Sequence, residues 1–255
     1  MRRLGANTLG VPGMTITGDH CEVLADPARL AARVADRLLD LAIAKEGWFS
    51  LCLAGGATPQ LLYECLAQAP YKDAFPWQNL HVFWGDERCV PPDDARNNAA
   101  MACKALLAHV PIPRANIHPV PTQGVSPDAA AKAYQRALQI FYGADQLDPG
   151  RPLFDVTLLG LGVDGHTASL FPHSAALMER DAWVVPVLGA ADDARITLTY
   201  PTLESCRHAA FLVAGQDKAE ILGRLVGGDT SLPAAVLQPL GELWVFSDKA
   251  AQLQL

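Results

Sequence analysis

Apolar positions recur along the chain in two alternating rhythms. Leu30, Val34, Leu38 and Leu41 fall at helical spacing behind Asp26 and Pro27, a capping residue and a first-turn proline, and Gly47 marks the stop. Residues 48–53 (WFSLCL) form an apolar run of strand length that breaks into 54–59 (AGGATP) before Leu61, Leu62 and Leu66 resume the helical rhythm. Residues 80–84 (LHVFW) repeat the strand pattern and end in 85–88 (GDER) and a proline-rich loop, 89–94. Asn97 or Asn98 caps a helix to about Leu107, residues 116–120 predict a short strand, and Ser126 with Pro127 opens a helix through Tyr134, Leu138 and Phe141. Further strands are predicted at 153–161, 183–187, 196–199, 209–214 and 242–246, with a helix over 216–226 carried by Ile221, Leu222 and Leu225.

Strands alternating with helices predict one α/β domain, a doubly wound, mainly parallel, Rossmann-like sheet flanked by helices, over residues 15–255. Pro186 places its strand at an edge or an end. Residues 1–14 read as a flexible tail: Arg2 and Arg3 are basic, but no apolar core of signal-peptide length follows. No apolar run approaches a membrane span.

Composition acts mainly by exclusion. A net charge of −7, with no basic cluster beyond Arg2 and Arg3, argues against a nucleic-acid or anionic-membrane surface. An anionic substrate therefore requires a local gathering of cations. The six cysteines include no C-x-x-C pair, so neither zinc nor a disulfide framework is expected, and the chain reads as cytoplasmic.

Three stretches carry candidate chemistry. Gly55, Gly56, Ala57 and Thr58 lie between a strand and a helix, where free backbone N–H groups and the helix dipole make an anion site; Thr58 is the expected N-cap and Pro59 the first helical residue. In an open parallel sheet this loop and the one carrying Asp86, Glu87 and Arg88 face one crevice, although that triplet alone reads as a solvated charge cluster. Residues 160–165 (GLGVDG) match the dinucleotide pattern G-x-G-x-x-G. Pro172 leaves too little room for the full helix that pattern needs, and Asp164 would meet a pyrophosphate with negative charge. The better reading pairs Asp164 with His166 at a strand's end, the carboxylate orienting the imidazole as a base toward water. His20, His81, His109, His118, His173 and His208 lie outside any comparable setting, and no serine sits in a G-x-S-x-G elbow.

Taken in order, residues 54–59 (AGGATP), 85–90 (GDERCV), 160–172 (GLGVDGHTASLFP) and 195–199 (RITLT) resemble the signatures of the 6-phosphogluconolactonases, over about residues 20 to 250. The resemblance implies the fold of the glucosamine/galactosamine-6-phosphate isomerase superfamily. It implies hydrolysis of 6-phospho-D-glucono-1,5-lactone in the oxidative pentose phosphate pathway, without metal or organic cofactor, by a monomer or small homo-oligomer whose partner is the small-molecule lactone. His166 matches the family's base and Asp164 its partner, while Arg88, Arg195 and Lys218 match basic positions that hold the phosphate or the lactone oxygens. Ala54 and Ala57 depart from the family's usual serines, which leaves the first loop to its backbone N–H groups and Thr58.

The nearest rival is the related glucosamine-6-phosphate deaminase/isomerase class, which shares the glycine loop, the Asp-Glu, the Asp-Gly-His and the Arg-Ile-Thr. That class carries a glutamate after Asp-Gly-His to assist ring opening, where this chain has Phe171. A sugar-phosphate-binding regulator without catalysis is the remaining alternative, and the retention of both Asp164 and His166 speaks against it.

Overall fold

The computed structural model describes residues 20–189 and 192–252, so the tail expected over 1–14 lies outside the described residues. In chain order the strands are β1 (Cys21–Leu24), β2 (Phe49–Leu53), β3 (Leu80–Trp84), β4 (Asp86–Arg88), β5 (Phe154–Leu159), β6 (Val184–Val187), β7 (Arg195–Leu198), β8 (Cys206–Val213) and β9 (Glu242–Asp248). The helices are α1 (Pro27–Ala44), α2 (Ala57–Leu66), α3 (Tyr71–Ala74), α4 (Asn98–Ala102), α5 (Pro127–Tyr142), α6 (Tyr200–Glu204), α7 (Ala219–Val226) and α8 (Pro233–Val236). None of the described helices is long and apolar enough to cross a membrane.

Six strands form a wholly parallel sheet in the order β1-β9-β8-β5-β2-β3. Every residue of β2, β3 and β5 is buried, as expected when helices cover both faces of a parallel sheet. From β2 the chain moves outward to β3, whereas from β5 it goes the other way, to β8. The order therefore reverses between β2 and β5, and a crevice opens beyond their carboxyl ends.

The expected doubly wound sheet is present, and the chain adds a second, antiparallel sheet in the order β4-β7-β6. Residues 86–88, expected as loop, form β4 because they pair with β7. Pro186 sits in β6, on the edge of that small sheet, where its missing N–H costs no ladder bond. The strand expected at 116–120 shrinks to a single bridge between Ile117 and Val82. β1, a short and partly exposed edge strand, gave no sequence signal.

The caps follow the sequence in part. Asp26, Asn97 and Ser126 accept the N–H three residues on and open α1, α4 and α5. Thr58 is not a cap: α2 starts at Ala57, two residues before the expected Pro59, behind Gly56 and with no side-chain cap at all.

Two buried tyrosines close the strand ends nearest the crevice. From α2, the Tyr63 hydroxyl donates to the carbonyl of Ala54 (2.8 Å) and accepts its N–H (3.0 Å). From α5, Tyr134 treats Trp84 in the same way, at 3.0 and 2.7 Å. Each ties a helix to the sheet while satisfying a donor and an acceptor where the ladder runs out. Tyr134→Phe strands both groups of Trp84, and the expected loss is about 2 kcal/mol. A lower urea midpoint with an unchanged m-value is the measurement that checks it.

Candidate active site

The crevice beyond β2 and β5 has a volume of about 220 Å³ and is lined by Ala54, Gly55, Gly56, Asp86, Arg88, Asn98, Gly160, Leu161, Gly162, His166, Ala168, Arg195 and Lys218. A larger groove of about 610 Å³ runs between α2 and α4, but it holds none of the candidate residues. The candidate residues gather in the smaller space.

Residues 160–166 leave β5 as a tight loop and start no helix, which disposes of the dinucleotide pattern. The N–H of Gly165 donates to the carbonyl of Gly162 (2.9 Å), and the N–H of Gly162 to the carbonyl of His166 (2.8 Å). Inside this loop His166 Nδ1 meets Asp164 Oδ1 at 2.5 Å, and the His166 N–H donates to the same oxygen at 3.2 Å. Asp164 is partly buried, which raises its pKa, but the bonds from His166 outweigh this and hold the carboxyl below its ordinary value. An ionised acceptor there assigns the proton to Nδ1 and leaves Nε2 as the basic nitrogen. Nε2 has no hydrogen-bond partner among the described residues. The imidazole packs against Phe171, ring centroids 4.4 Å apart.

Gly162 is required by this packing. A Cβ there would lie 2.1 Å from His166 Nδ1 and 2.6 Å from Asp164 Oδ1.

The opposite wall comes from the small sheet. Its register places Arg88 directly opposite Arg195, and the Nε of each is buried without a hydrogen-bond partner. Burial and the nearby Arg88 charge lower Arg195 below its ordinary value. Behind the pair, Asp86 stands 3.8 Å from Arg195. Its carboxylate also accepts the buried Ser169 hydroxyl (2.6 Å) and the amide of Asn98 (3.3 Å). Expected as a substrate contact, Asp86 instead spends most of its acceptor capacity on the protein, although it does reach the crevice wall.

Glu87 is fully buried and receives the N–H groups of Arg88, Asn98 and Ala99, each at 2.8 Å, so it anchors the start of α4. Burial, outweighing those donors, pushes its carboxyl up to about 7. The triplet 86–88 is thus no solvated cluster, because β4 turns both acids inward.

Of the residues expected from sequence, Gly55, Gly56, Asp86, Arg88, His166, Arg195 and Lys218 meet at the crevice. Ala57 and Thr58 form the first turn of α2 and do not line it, while Asp164 sits behind the imidazole. Lys218 closes the far side from a short turn, with Asp217 no nearer than 3.9 Å. Asn98 is the lining residue whose role went unseen. Asn97 takes the cap, and Asn98, turned inward, brings its Oδ1 to within 2.1 Å of where a Gly55 Cβ would lie. The pair of adjacent asparagines was the available signal, since a helix start needs one cap.

Residues 25–245 match the family model described as glucosamine-6-phosphate isomerases/6-phosphogluconolactonase. The chain belongs to this family. A relative from Nostoc sp., named 6-phosphogluconolactonase, is 42% identical over 241 residues, covering 92% of this chain and 97% of its own. The solved structure of a 6-phosphogluconolactonase from Trypanosoma cruzi superposes with a TM-score of 0.79 at 30% identity, covering 94% of this chain and 97% of that one. A monomeric glucosamine-6-phosphate deaminase, 19% identical, shares the fold with a TM-score of 0.76, covering 91% of this chain and 98% of that one.

Gly162→Ala tests the packing beneath the dyad. The protein is expected to fold with little change in melting temperature but to lose about 10²-fold in turnover, because the imidazole and carboxylate must move by an ångström or more. Melting curves beside steady-state rates distinguish this from general loss of structure.

Proposed function

We propose that this protein hydrolyses 6-phospho-D-glucono-1,5-lactone to 6-phospho-D-gluconate, a step of the oxidative pentose phosphate pathway. The observation that carries the reading is the Asp164–His166 pair set in the wall of a crevice whose other walls hold Arg88, Arg195 and Lys218. The relative from Nostoc sp. supports the substrate class. Six free cysteines suit a reducing cytoplasm.

The chemistry needs one base and a place for negative charge. Water held at His166 Nε2 attacks C1 of the lactone and passes a proton to the imidazole, while the carbonyl electrons move onto oxygen. Asp164 stabilises the imidazolium that forms. Backbone N–H groups of the glycine loops and a guanidinium stabilise the oxyanion, each worth roughly 3 kcal/mol when preorganised. Collapse of the tetrahedral adduct breaks the bond from C1 to the ring oxygen, and the imidazolium returns its proton to that oxygen, which leaves as the C5 hydroxyl. The phosphate lies against Arg88, Arg195 and Lys218. Phe171 lends the imidazole an apolar face and offers no second acid, which suits hydrolysis rather than aldose–ketose chemistry.

Acid release from freshly prepared lactone is expected to exceed the spontaneous rate, and His166→Ala to lose about 10²- to 10⁴-fold. Full activity in that variant overturns the mechanism, and no acceleration by the parent protein overturns the function. In Asp164→Asn kcat is expected to fall by about 10²-fold or more, because the imidazole tautomer is no longer fixed and the imidazolium that forms has lost its counter-charge. Steady-state rates of the two proteins, with melting curves beside them, check it.

A further inference from the structure

The two cross-strand arginines create an electrostatic problem that a third arginine answers. Asp193 lies two residues before Arg195 in sequence, and its charge already acts on that guanidinium. Asp94 sits on the loop that Arg88 reaches, since Arg88 donates to the carbonyl of Arg96 at 2.5 Å. Left free, the Asp193 carboxylate would compete with a substrate anion for the under-paired Arg195 guanidinium; the Asp94 carboxylate already accepts the backbone N–H of Arg96 at 2.8 Å. Both are held elsewhere. Arg96 donates to Asp94 through Nε at 3.0 Å and through its second terminal nitrogen at 2.8 Å, and to Asp193 through the remaining one at 2.5 Å.

We propose that Arg96, anchored on Asp94, is a positioning residue that sequesters Asp193, and so keeps the Arg88–Arg195 pair open to the phosphorylated substrate. The inference rests on the reading of those two arginines as the anion-binding wall. Arg96 itself touches no lining atom of the dyad, and its contribution is to affinity rather than to the chemical step. A purely structural role fits less well. The side chain is 54% exposed, and ion pairs that open to water add little to fold stability. The geometry is also unusual for a stabilising surface pair, because one guanidinium joins two loops: the one after β4 and the one before β7. The carbonyl of Arg96, which holds Arg88, belongs to the backbone and survives a side-chain substitution, so the two roles of this residue separate cleanly.

The proposal predicts a rescue of opposite sign to any structural effect. In Arg96→Ala, KM for the phosphorylated lactone is expected to rise about tenfold, the worth of a weak charge-assisted contact, while kcat stays within about twofold. Removing the released Asp193 carboxylate and its neighbour as well, in Arg96→Ala/Asp94→Ala/Asp193→Ala, is expected to return KM to near the parent value. Inorganic phosphate as a competitive inhibitor should follow the same order, weaker in the single variant and restored in the triple. Arg96→Gln, neutral and similar in length, replaces the alanine variant if that one fails to fold.

Arg195→Ala is measured alongside. If it leaves both KM and phosphate inhibition unchanged, the anion wall itself is wrong and the proposal falls with it. If Arg195→Ala weakens binding but Arg96→Ala does not, or if the triple variant binds no better than the single, the wall stands and the sequestering role is overturned.

Discussion

Two guanidiniums placed directly opposite one another on adjacent strands set the terms for the rest of this molecule. Like charges in that position destabilise a sheet, and here the register of β4 against β7 imposes it on Arg88 and Arg195. Much of the surrounding architecture can be understood as what makes the pairing tolerable. Asp86 supplies a buried counter-charge, Ser169 and Asn98 hold that carboxylate in place, and the Arg96 carbonyl takes one arm of Arg88. What is left over is two buried Nε groups without partners, on arginines that both line the crevice. A protein of net charge −7 needs such a local concentration of cations if it is to hold a phosphorylated substrate.

The dyad obeys a different logic, that of close packing. Asp164 and His166 are separated by a single glycine, and the loop closes so tightly that only hydrogen fits at Gly162. The same compactness holds the Asp164 carboxyl below its ordinary pKa and sets the imidazole in the crevice wall. Preorganisation is thus achieved with backbone bonds and two side chains. The small sheet and the glycine loop meet through Ser169, which lies five residues after Asp164 and donates to Asp86, so the wall with the dyad and the wall with the two arginines are tied to each other.

The first loop shows how an unusual sequence can still present a usable surface. Ala54 and Ala57 bring no hydroxyls, yet Gly55 and Gly56 still line the crevice at the start of α2, where backbone N–H groups are unpaired. Tyr63 pins Ala54 from below, and Asn98 fills the space beside Gly55. The loop is therefore rigid through its neighbours, and it leaves the stronger charge interactions to the arginines and Lys218.

Local patterns determined a good deal here. Helical spacing behind Asp26 and Ser126, apolar runs ending in glycine, and an aspartate two residues from a histidine were each readable because the physics is confined to a few neighbouring residues. The parallel sheet followed from alternation alone. Tertiary structure decided the rest, since it depends on partners far apart in sequence. β4 exists only because β7 lies beside it, and β1 only because β9 does. The same pairing buried Asp86 and Glu87, which a triplet of charges suggests are solvated, and it set Arg88 against Arg195. Asn98 became part of the crevice because Asn97 had taken the cap, and Thr58 lost that role because α2 begins two residues early. The sequence named the chemical groups, and long-range pairing determined which of them face a substrate and which face each other.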